Sequence, residues 1–174
     1  MAVYQFYLAL IPRIGLVRKH NQMPIRINVS TETGYFESNT EEYWQLAEIS
    51  PEKIMQEIDK VVNRSDWGSG KSKQWKTYTE EIDNDAWMAI NDDSGNIKEL
   101  SFRADLREDS LKFLRNMIDL AKEYDLLLMD RKGNLAKPNF SEVGHLVEIS
   151  NAFRFLQDPE VFLNNLDNGK INFE

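Results

Sequence analysis

The chain of 174 residues contains no cysteine, two histidines, eight glycines and five prolines. Because cysteine is absent, disulfides, zinc–thiolate sites and thiol nucleophiles are excluded. Basic residues are also scarce relative to acids, 21 against 29, which gives a net charge of −8. Nucleic-acid binding needs a broad cationic surface, so this charge argues against it and favours a basic partner.

Long apolar runs are missing as well, and none approaches the roughly 20 residues that span a bilayer. The first twelve residues, MAVYQFYLALIP, are apolar, but they alternate, contain several aromatics and follow no Lys or Arg. This pattern predicts a strand and not a signal peptide. We therefore expect a cytoplasmic protein without membrane contact.

The composition is that of one globular domain, with 41% hydrophobic and 29% charged residues. The chain is long enough for one well-packed core and short for two. We predict a single domain over residues 1–174, with a polar tail from about 167 to 174.

Hydrophobic periodicity predicts both strands and helices. Three short runs with strand character follow one another, and helical patterns are grouped around them. The last two runs are separated by residues 92–96, DDSGN, a composition typical of a hairpin turn. This order indicates an α+β fold, a mainly antiparallel sheet with three or four helices packed against it. Residues 20–39 mix an extended piece, IRINV, with turn residues and stay open. The predicted strands are 3–11, 75–82, 85–91, 97–106 and 126–129, and Pro12 and Gly15 end the first of them. The predicted helices are 51–63, 109–123 with Asp109 or Ser110 as its cap, 141–156 and one that begins at 158–160.

A phosphate-binding loop is the first candidate site, because DWGSGKSKQW, residues 66–75, contains GSGKS. The motif G-x-x-x-x-G-K-[ST] must lie between a strand and a helix, where backbone amides wrap the phosphates. Only Gly70-Lys71-Ser72 matches, since the position of the first glycine is Ser65. The predicted order, helix before and strand after, is also reversed. We predict a flexible surface loop and no nucleotide.

The sequence contains no complete catalytic or metal-binding signature. Glu142 and His145 have the Glu-x-x-His spacing, but di-iron bundles use two copies and further glutamates. His20 lies in a Lys-rich loop, where a solvated side chain is expected. No G-x-S-x-G elbow is present, and 29 acids produce close carboxylate pairs by chance. We predict no metal, no cofactor and no enzymatic activity, with a hydrolase of unlocated carboxylates as an alternative.

The run SFRADLR, residues 101–107, places Arg103, Asp105 and Arg107 on one side of a predicted strand. The favoured interpretation is a ladder of opposite charges on a solvated face. The alternative is that Arg103 and Arg107 grip a carboxylate or phosphate in a small anion-binding or regulatory module. An ion pair with an acid of a neighbouring helix fits the same pattern.

Acidic residues are concentrated in two stretches. Residues 77–100 contain seven acids and one base, a local net charge of −6, and residues 37–62 contain seven acids and two bases, a net charge of −5. Residues 63–76 instead have four bases and one acid. Trp75, Tyr78 and Trp87 lie in or beside the first stretch, and aromatic anchors within a charged rim are typical of protein-binding surfaces. The predicted partner-binding residues are Glu80, Glu81, Asp83, Asp85, Trp87, Asp92 and Asp93.

Three segments of the chain resemble small bacterial proteins that include immunity proteins of polymorphic-toxin and contact-dependent growth inhibition systems. The segments are YQFYLALIPRIGLV near the start, LSFRADLRE with FLRNMIDLAKEYDLLLMDRKGNLAKP in the middle, and SNAFRFLQDPEVFL near the end. Together they cover about half of the chain. No catalytic residue is carried over, because immunity proteins of this kind inhibit without catalysis.

The resemblance implies a cytoplasmic antitoxin that binds one cognate toxin, often a nuclease. A toxin that attacks nucleic acid needs a cationic substrate cleft, and an acidic inhibitor can cover it with electrostatic steering of the encounter. We therefore expect the partner to be a basic protein toxin, with neither nucleic acid nor membrane bound directly. The anion-binding module remains the alternative.

Overall fold

The computed structural model describes residues 3–32, 38–66 and 72–171, which form one sheet with helices on both faces. The six strands are β1 (Gln5–Pro12), β2 (Ser72–Tyr78), β3 (Asp83–Ile90), β4 (Ile97–Asp105), β5 (Leu126–Met129) and β6 (Leu135–Ala136). They lie in the order β2-β3-β4-β1-β5-β6, and every neighbouring pair is antiparallel. The predicted α+β class and antiparallel sheet are therefore confirmed.

The part of the chain that the structure describes contains seven α-helices, more than the three or four predicted. They are α1 (Arg13–His20), α2 (Glu41–Ala47), α3 (Pro51–Val61), α4 (Lys112–Glu123), α5 (Phe140–Glu148), α6 (Asn151–Gln157) and α7 (Pro159–Asp167).

One face of the sheet, the inner face, is covered by helices α3, α4, α5 and α6, and the same core also includes Trp44 of α2. Alternate strand residues point to this side, so that Leu8 of β1 and Phe102 of β4 are buried against Ile58 of α3 and Met117 of α4. The apolar residues of α4 recur every three or four positions and form the stripe that an amphipathic helix needs. Helix α7 packs on α6, where the rings of Phe155 and Phe162 meet edge to face. This layer is the main core.

The opposite face, the outer face, has a second and smaller core. Its members from the sheet belong to β1 and β5, with Leu135 of β6 at its margin, and they pack under α1, α2 and Ile27. We name this part of the outer face the covered half. The buried residues of its cluster are Ala9, Ile11, Leu16, Ile27, Tyr43, Leu127 and Met129.

Helices α1 and α2 are the main departure from the sequence-based prediction. The prediction ends the first strand at Pro12 and Gly15 and places His20 in a loop, but α1 starts directly after Pro12 and includes His20. Gly15 is needed for close packing, because a Cβ there would lie 2.0 Å from the carbonyl oxygen of Tyr43 in α2. The extended piece IRINV is not a strand of the sheet, and Arg26 makes an isolated bridge to Asn134.

Two helix boundaries also differ from the prediction. The helix expected over 141–156 is two helices, because the Ser150 hydroxyl accepts a hydrogen bond from the Phe153 amide and starts α6. The helix expected to be capped by Asp109 or Ser110 begins after a 3-10 turn, where the Glu108 carboxylate accepts from the Phe113 amide. The start of α7 is as predicted, since Asp158 accepts from the Val161 amide and Pro159 is the first helical residue.

Candidate functional site

The outer face over β2, β3 and β4 has a polar surface, and we name it the open half. The antiparallel register places Lys76 of β2, Asp85 of β3 and Arg103 of β4 in one row across the sheet. The next rows along β3 centre on Trp87 and Ala89. Between these rows Ala86 and Met88 point inward and are buried. The strands therefore follow the same alternation as the covered half, with polar outward residues in place of apolar ones.

A chain of ion pairs crosses the open half. Arg103 donates from Nε and Nη2 to the two oxygens of Asp85, at 2.9 and 2.5 Å. Lys76 Nζ lies 2.7 Å from Asp83 Oδ1 and 3.8 Å from Asp85 Oδ2. The two carboxylates and two cations sum to zero charge, so the first part of β3 is locally neutral. Asp83 and Asp85, two of the seven predicted binding residues, are thus held in structural ion pairs.

Trp87 separates two open hollows on this surface. The first, the strand hollow, has a volume of about 540 Å³ and is lined by Gln74, Lys76, Asp85, Arg103 and Trp87. Trp87 is partly exposed and forms the wall that this hollow shares with a second one.

The second hollow, the turn hollow, has a volume of about 630 Å³ and lies between the start of α2 and the β3–β4 turn. Its charged lining residues are Glu41, Asp92, Asp93, Lys98 and Glu99. Four carboxylates and one ammonium give it a net charge of −3 when all are ionised. The turn hollow is therefore the acidic one, whereas the strand hollow contains Lys76 and Arg103.

Glu99 lies at the boundary between the two halves of the outer face. Tyr7 of β1 donates its hydroxyl to Glu99 Oε1 at 3.3 Å, and Ser101 also hydrogen-bonds the carboxylate. Burial raises the pKa of Glu99 in spite of these two donors. Burial, followed by the Glu99 carboxylate, raises the pKa of Tyr7. A half-buried carboxylate beside a hollow is an arrangement that folding alone does not favour.

The four remaining acids of the predicted site lie at the two ends of β3. Glu80 and Glu81 occupy the β2–β3 turn, where the Thr79 hydroxyl accepts from the Glu81 amide. Asp92 and Asp93 lie in the β3–β4 turn, which is the hairpin turn that the sequence predicts. All four are exposed. The eight residues of β3 span roughly 24 Å at about 3.4 Å each, so the seven predicted residues form a line and not a cluster.

Arg103 and Arg107 do not share a site. Strand β4 ends at Asp105, and Arg107 turns back to donate from Nε and Nη2 to the Asp105 carboxylate at 2.9 and 2.6 Å. Its guanidinium also lies 3.4 Å from the centre of the Tyr4 ring. The acid that pairs with Arg103 is Asp85 on the neighbouring strand, so the alternative of an ion pair with a helix acid does not apply to Arg103. An anion held by both arginines would have to displace Asp85 and Asp105.

Asp105 is fully buried and has a structural role. It accepts from the Asp83 and Arg107 amides as well as from the Arg107 guanidinium, and its own amide donates to Asn84 Oδ1. Burial on its own raises the pKa of this carboxyl, but the Arg107 side chain and the two amides outweigh it and lower the pKa. Asp105 thus ties the β2–β3 turn to the end of β4.

Several other sequence candidates have structural positions. Trp75 is buried, and its indole N–H donates to Asp59 at 2.8 Å, so it is not a surface anchor. The Glu142 carboxylate accepts from the Lys137 amide, His145 lies near Glu148, and His20 lies 3.1 Å from the Tyr43 hydroxyl. The GSGKS loop, apart from Ser72, lies outside the described residues. Among those residues no group of three or more His, Asp or Glu side chains is placed to hold a metal.

Sequence reasoning missed Lys76 and Glu41 as parts of this surface. Lys76 belongs to the basic stretch 63–76, and only the strand register brings it opposite Asp85. Glu41 begins a helix that was not predicted, and its carboxylate accepts from Asn91 of the β3–β4 turn at 2.5 Å. The alternation of outward and inward residues along β2 is the sequence signal that could have identified Lys76, whereas no local signal identifies Glu41.

No protein-family model, curated protein or solved structure matches the chain. Within the described ranges, no helix is both long enough and apolar enough to cross a bilayer. The candidate site is therefore the open half, judged on its own geometry.

Proposed function

We propose that this protein is a cytoplasmic immunity protein that binds a basic toxin of the nuclease class and neutralises it by covering its cationic active-site cleft. The observation that supports this most is the line along β3, with Trp87 at its centre and two exposed acids at each end. A standard interface covers about 800 Å² of each partner, a patch roughly 30 Å across. The length of the line suits such a footprint and exceeds what a small ligand contacts.

The charge distribution also favours a protein partner. The ion pairs of Lys76 and Arg103 neutralise the first part of β3, and the exposed acids lie in the turns at its two ends. Rim charges steer association and raise its rate, up to about 10⁸ to 10⁹ per molar per second at low salt. An aromatic residue at the centre of a patch is the usual position of a binding hot spot. Inhibition by occlusion requires no catalytic group of its own.

A pull-down from the native cells with tagged protein tests this function. Washes at 0.1 M and about 0.5 M salt separate electrostatic steering from packed contacts. The electrostatic screening length is about 10 Å at 0.1 M salt and becomes shorter as the salt concentration rises, so closely packed contacts alone persist in the second wash. We expect one stoichiometric basic protein in both washes, which is lethal when expressed alone and harmless when expressed with this chain. The absence of such a partner, or a partner that stays lethal in co-expression, would contradict the proposal.

A pair of matched variants ties that result to the surface. Trp87→Ala should weaken recovery and rescue, because it removes the centre of the patch. Val161→Ala removes an exposed apolar side chain on α7, on the helical layer, and should leave both unchanged. Equal recovery with both variants would place the interface elsewhere.

A further inference from the structure

The open half is as wide as one α-helix. From β2 to β4 there are two interstrand spacings of about 4.8 Å, close to 10 Å in all. A helix with its side chains has a diameter of about 10–12 Å. On the covered half of the same face, α1 and α2 already pack over β1 and β5, and α2 also reaches the start of β4, where the Thr40 hydroxyl donates to the Lys98 carbonyl. The sheet thus leaves a strip of helix width beside helices of its own.

Sheet extension is the competing way to bind a partner, and the edge of the sheet argues against it. Strand β2 is the last strand on its side of the sheet, and residues 63–65 pair with the middle of its outer edge. The Ser65 amide donates to the Gln74 carbonyl at 2.9 Å, and the Lys76 amide donates to the Asn63 carbonyl at 2.9 Å. A partner strand would have to displace these bonds, whereas a helix on the face displaces none.

The distance between the two hollows determines which side chains of one helix can enter both. The strand hollow centres on the row of Asp85 and the turn hollow on the row of Ala89, four residues or roughly 14 Å apart along β3. On a helix, residues seven or eight positions apart lie on one face and are separated by about 10.5–12 Å. The helix residue three or four positions after the first of these two then lies over Trp87.

The charges set the direction of such a helix. The turn hollow has a net charge of −3 and favours Lys or Arg, with the Trp87 ring available for a cation–π contact. The strand hollow contains Lys76 and Arg103 beside Asp85 and favours an uncharged polar side chain. The cationic end of the helix is therefore expected at the β3–β4 turn.

We propose that the open half binds one α-helix of the partner lengthwise along β3, with a basic side chain in the turn hollow, an apolar side chain on Trp87 and an uncharged polar side chain in the strand hollow. This inference deepens the proposed function and depends on it for the identity of the partner. The docking itself depends on the shape and charge of the surface alone, so the two can be tested apart.

The probe is a synthetic 18-residue Ala-rich helix with Lys-Arg near one end, Leu at the centre and Gln seven residues from the basic pair. Two control peptides have the same length, one with Glu in place of the basic pair and one with a central Pro that breaks the helix. Each is titrated into the ¹⁵N-labelled full chain at 0.1 M salt while amide and indole N–H signals are followed. We expect saturable shifts at the Trp87 indole and at residues 85–93 and 99–103 with the basic helix only.

Variants make the assignment specific. Trp87→Ala and Glu99→Gln should each weaken binding of the basic helix about tenfold or more, and Val161→Ala should not change it. Helix docking would be overturned if the basic helix produced no saturable shifts or produced shifts on α5–α7. It would also be overturned if the Pro peptide bound equally well. If a basic toxin is found but the peptide does not bind, only the docking mode is wrong. If the peptide binds but no toxin exists, the surface stands and the proposed function is wrong.

Discussion

The two halves of the outer sheet face show how one alternation pattern produces two different surfaces. In the covered half, the outward residues Ile11 and Leu127 are apolar, and two helices bury them. In the open half, the outward residues Asp85 and Arg103 are ionised, and they satisfy each other across the strands. A charged pair whose two partners already bind each other gains little from burial under a helix of the same chain, and the outer helices extend no further than the start of β4, where the Thr40 hydroxyl donates to the Lys98 carbonyl.

A sheet face left uncovered therefore need not be apolar to be a candidate interface. Ion pairs within the open half lower the desolvation cost that single charges would impose on a partner. Trp87 supplies the apolar contact, and the acids at both turns supply the long-range attraction.

The first prediction compares a core residue of the covered half with the centre of the open half. Ile11→Ala should lower the free energy of unfolding by about 2–5 kcal/mol, because it leaves a cavity under α1. Trp87→Ala should cost clearly less, since the indole is partly exposed. Urea unfolding at pH 7 measures both. Equal losses of unfolding free energy in the two variants would mean that the covered half and the open half bury these side chains to the same extent.

The second prediction concerns the helices that create the covered half. Gly15→Ala should cost about 1–3 kcal/mol, since its Cβ would meet the Tyr43 backbone oxygen at 2.0 Å. Gly144→Ala in α5 is the matched control, because a Cβ there meets nothing within 4 Å. It should stabilise by up to about 1 kcal/mol through helix propensity. Thermal unfolding that shifts both variants in the same direction would contradict the close α1–α2 contact.

The third prediction is a pH dependence at the end of β4. The folded state lowers the pKa of Asp105, so its contribution is present above the unfolded value of about 3.9 and is lost as the pH falls below it. Asp105→Asn should therefore cost about 1–3 kcal/mol at pH 7 and much less near pH 2. Urea unfolding from pH 7 to 2 follows this. If the loss of unfolding free energy in Asp105→Asn stayed the same as the pH fell from 7 to 2, the charge of Asp105 would be unimportant.

The fourth prediction separates stability from binding in the open half. The folded state raises the pKa of Glu99, so this group stabilises the protein below about pH 4.3 and the contribution is lost as the pH rises. Glu99→Gln should therefore leave the stability at pH 7 unchanged or slightly higher, and weaken binding of the basic helix. Such a trade-off is typical of residues kept for function. A less stable Glu99→Gln protein with full binding would assign Glu99 a structural role.

Much of the fold follows from local sequence signals, and the failures have physical causes. The predicted strand at 126–129 matches β5, and the hairpin turn after β3 lies where Asp92 to Asn96 predict it. Helix α1 was missed because Pro12 and Gly15 are turn signals by composition. Here Pro12 precedes the first helical turn, and Gly15 serves a contact with Tyr43 that is 28 positions away.

The candidate site was predictable in part. The acids and Trp87 lie on one face of β3 and in its two turns, as the alternation of the sequence allows. The neutralisation of Asp83 and Asp85 was not predictable, because Lys76 and Arg103 come from other strands and reach them only through the register. The turn hollow depends on a contact between α2 and the β3–β4 turn, which no local pattern encodes.

The most direct test of the open half as the binding surface is hydrogen–deuterium exchange of this protein with and without the basic partner recovered by pull-down. We expect slower exchange at residues 72–78, 83–93 and 97–103 in the complex, with unchanged exchange in α5, α6 and α7. Protection confined to the helical layer, with none along β3, would contradict it.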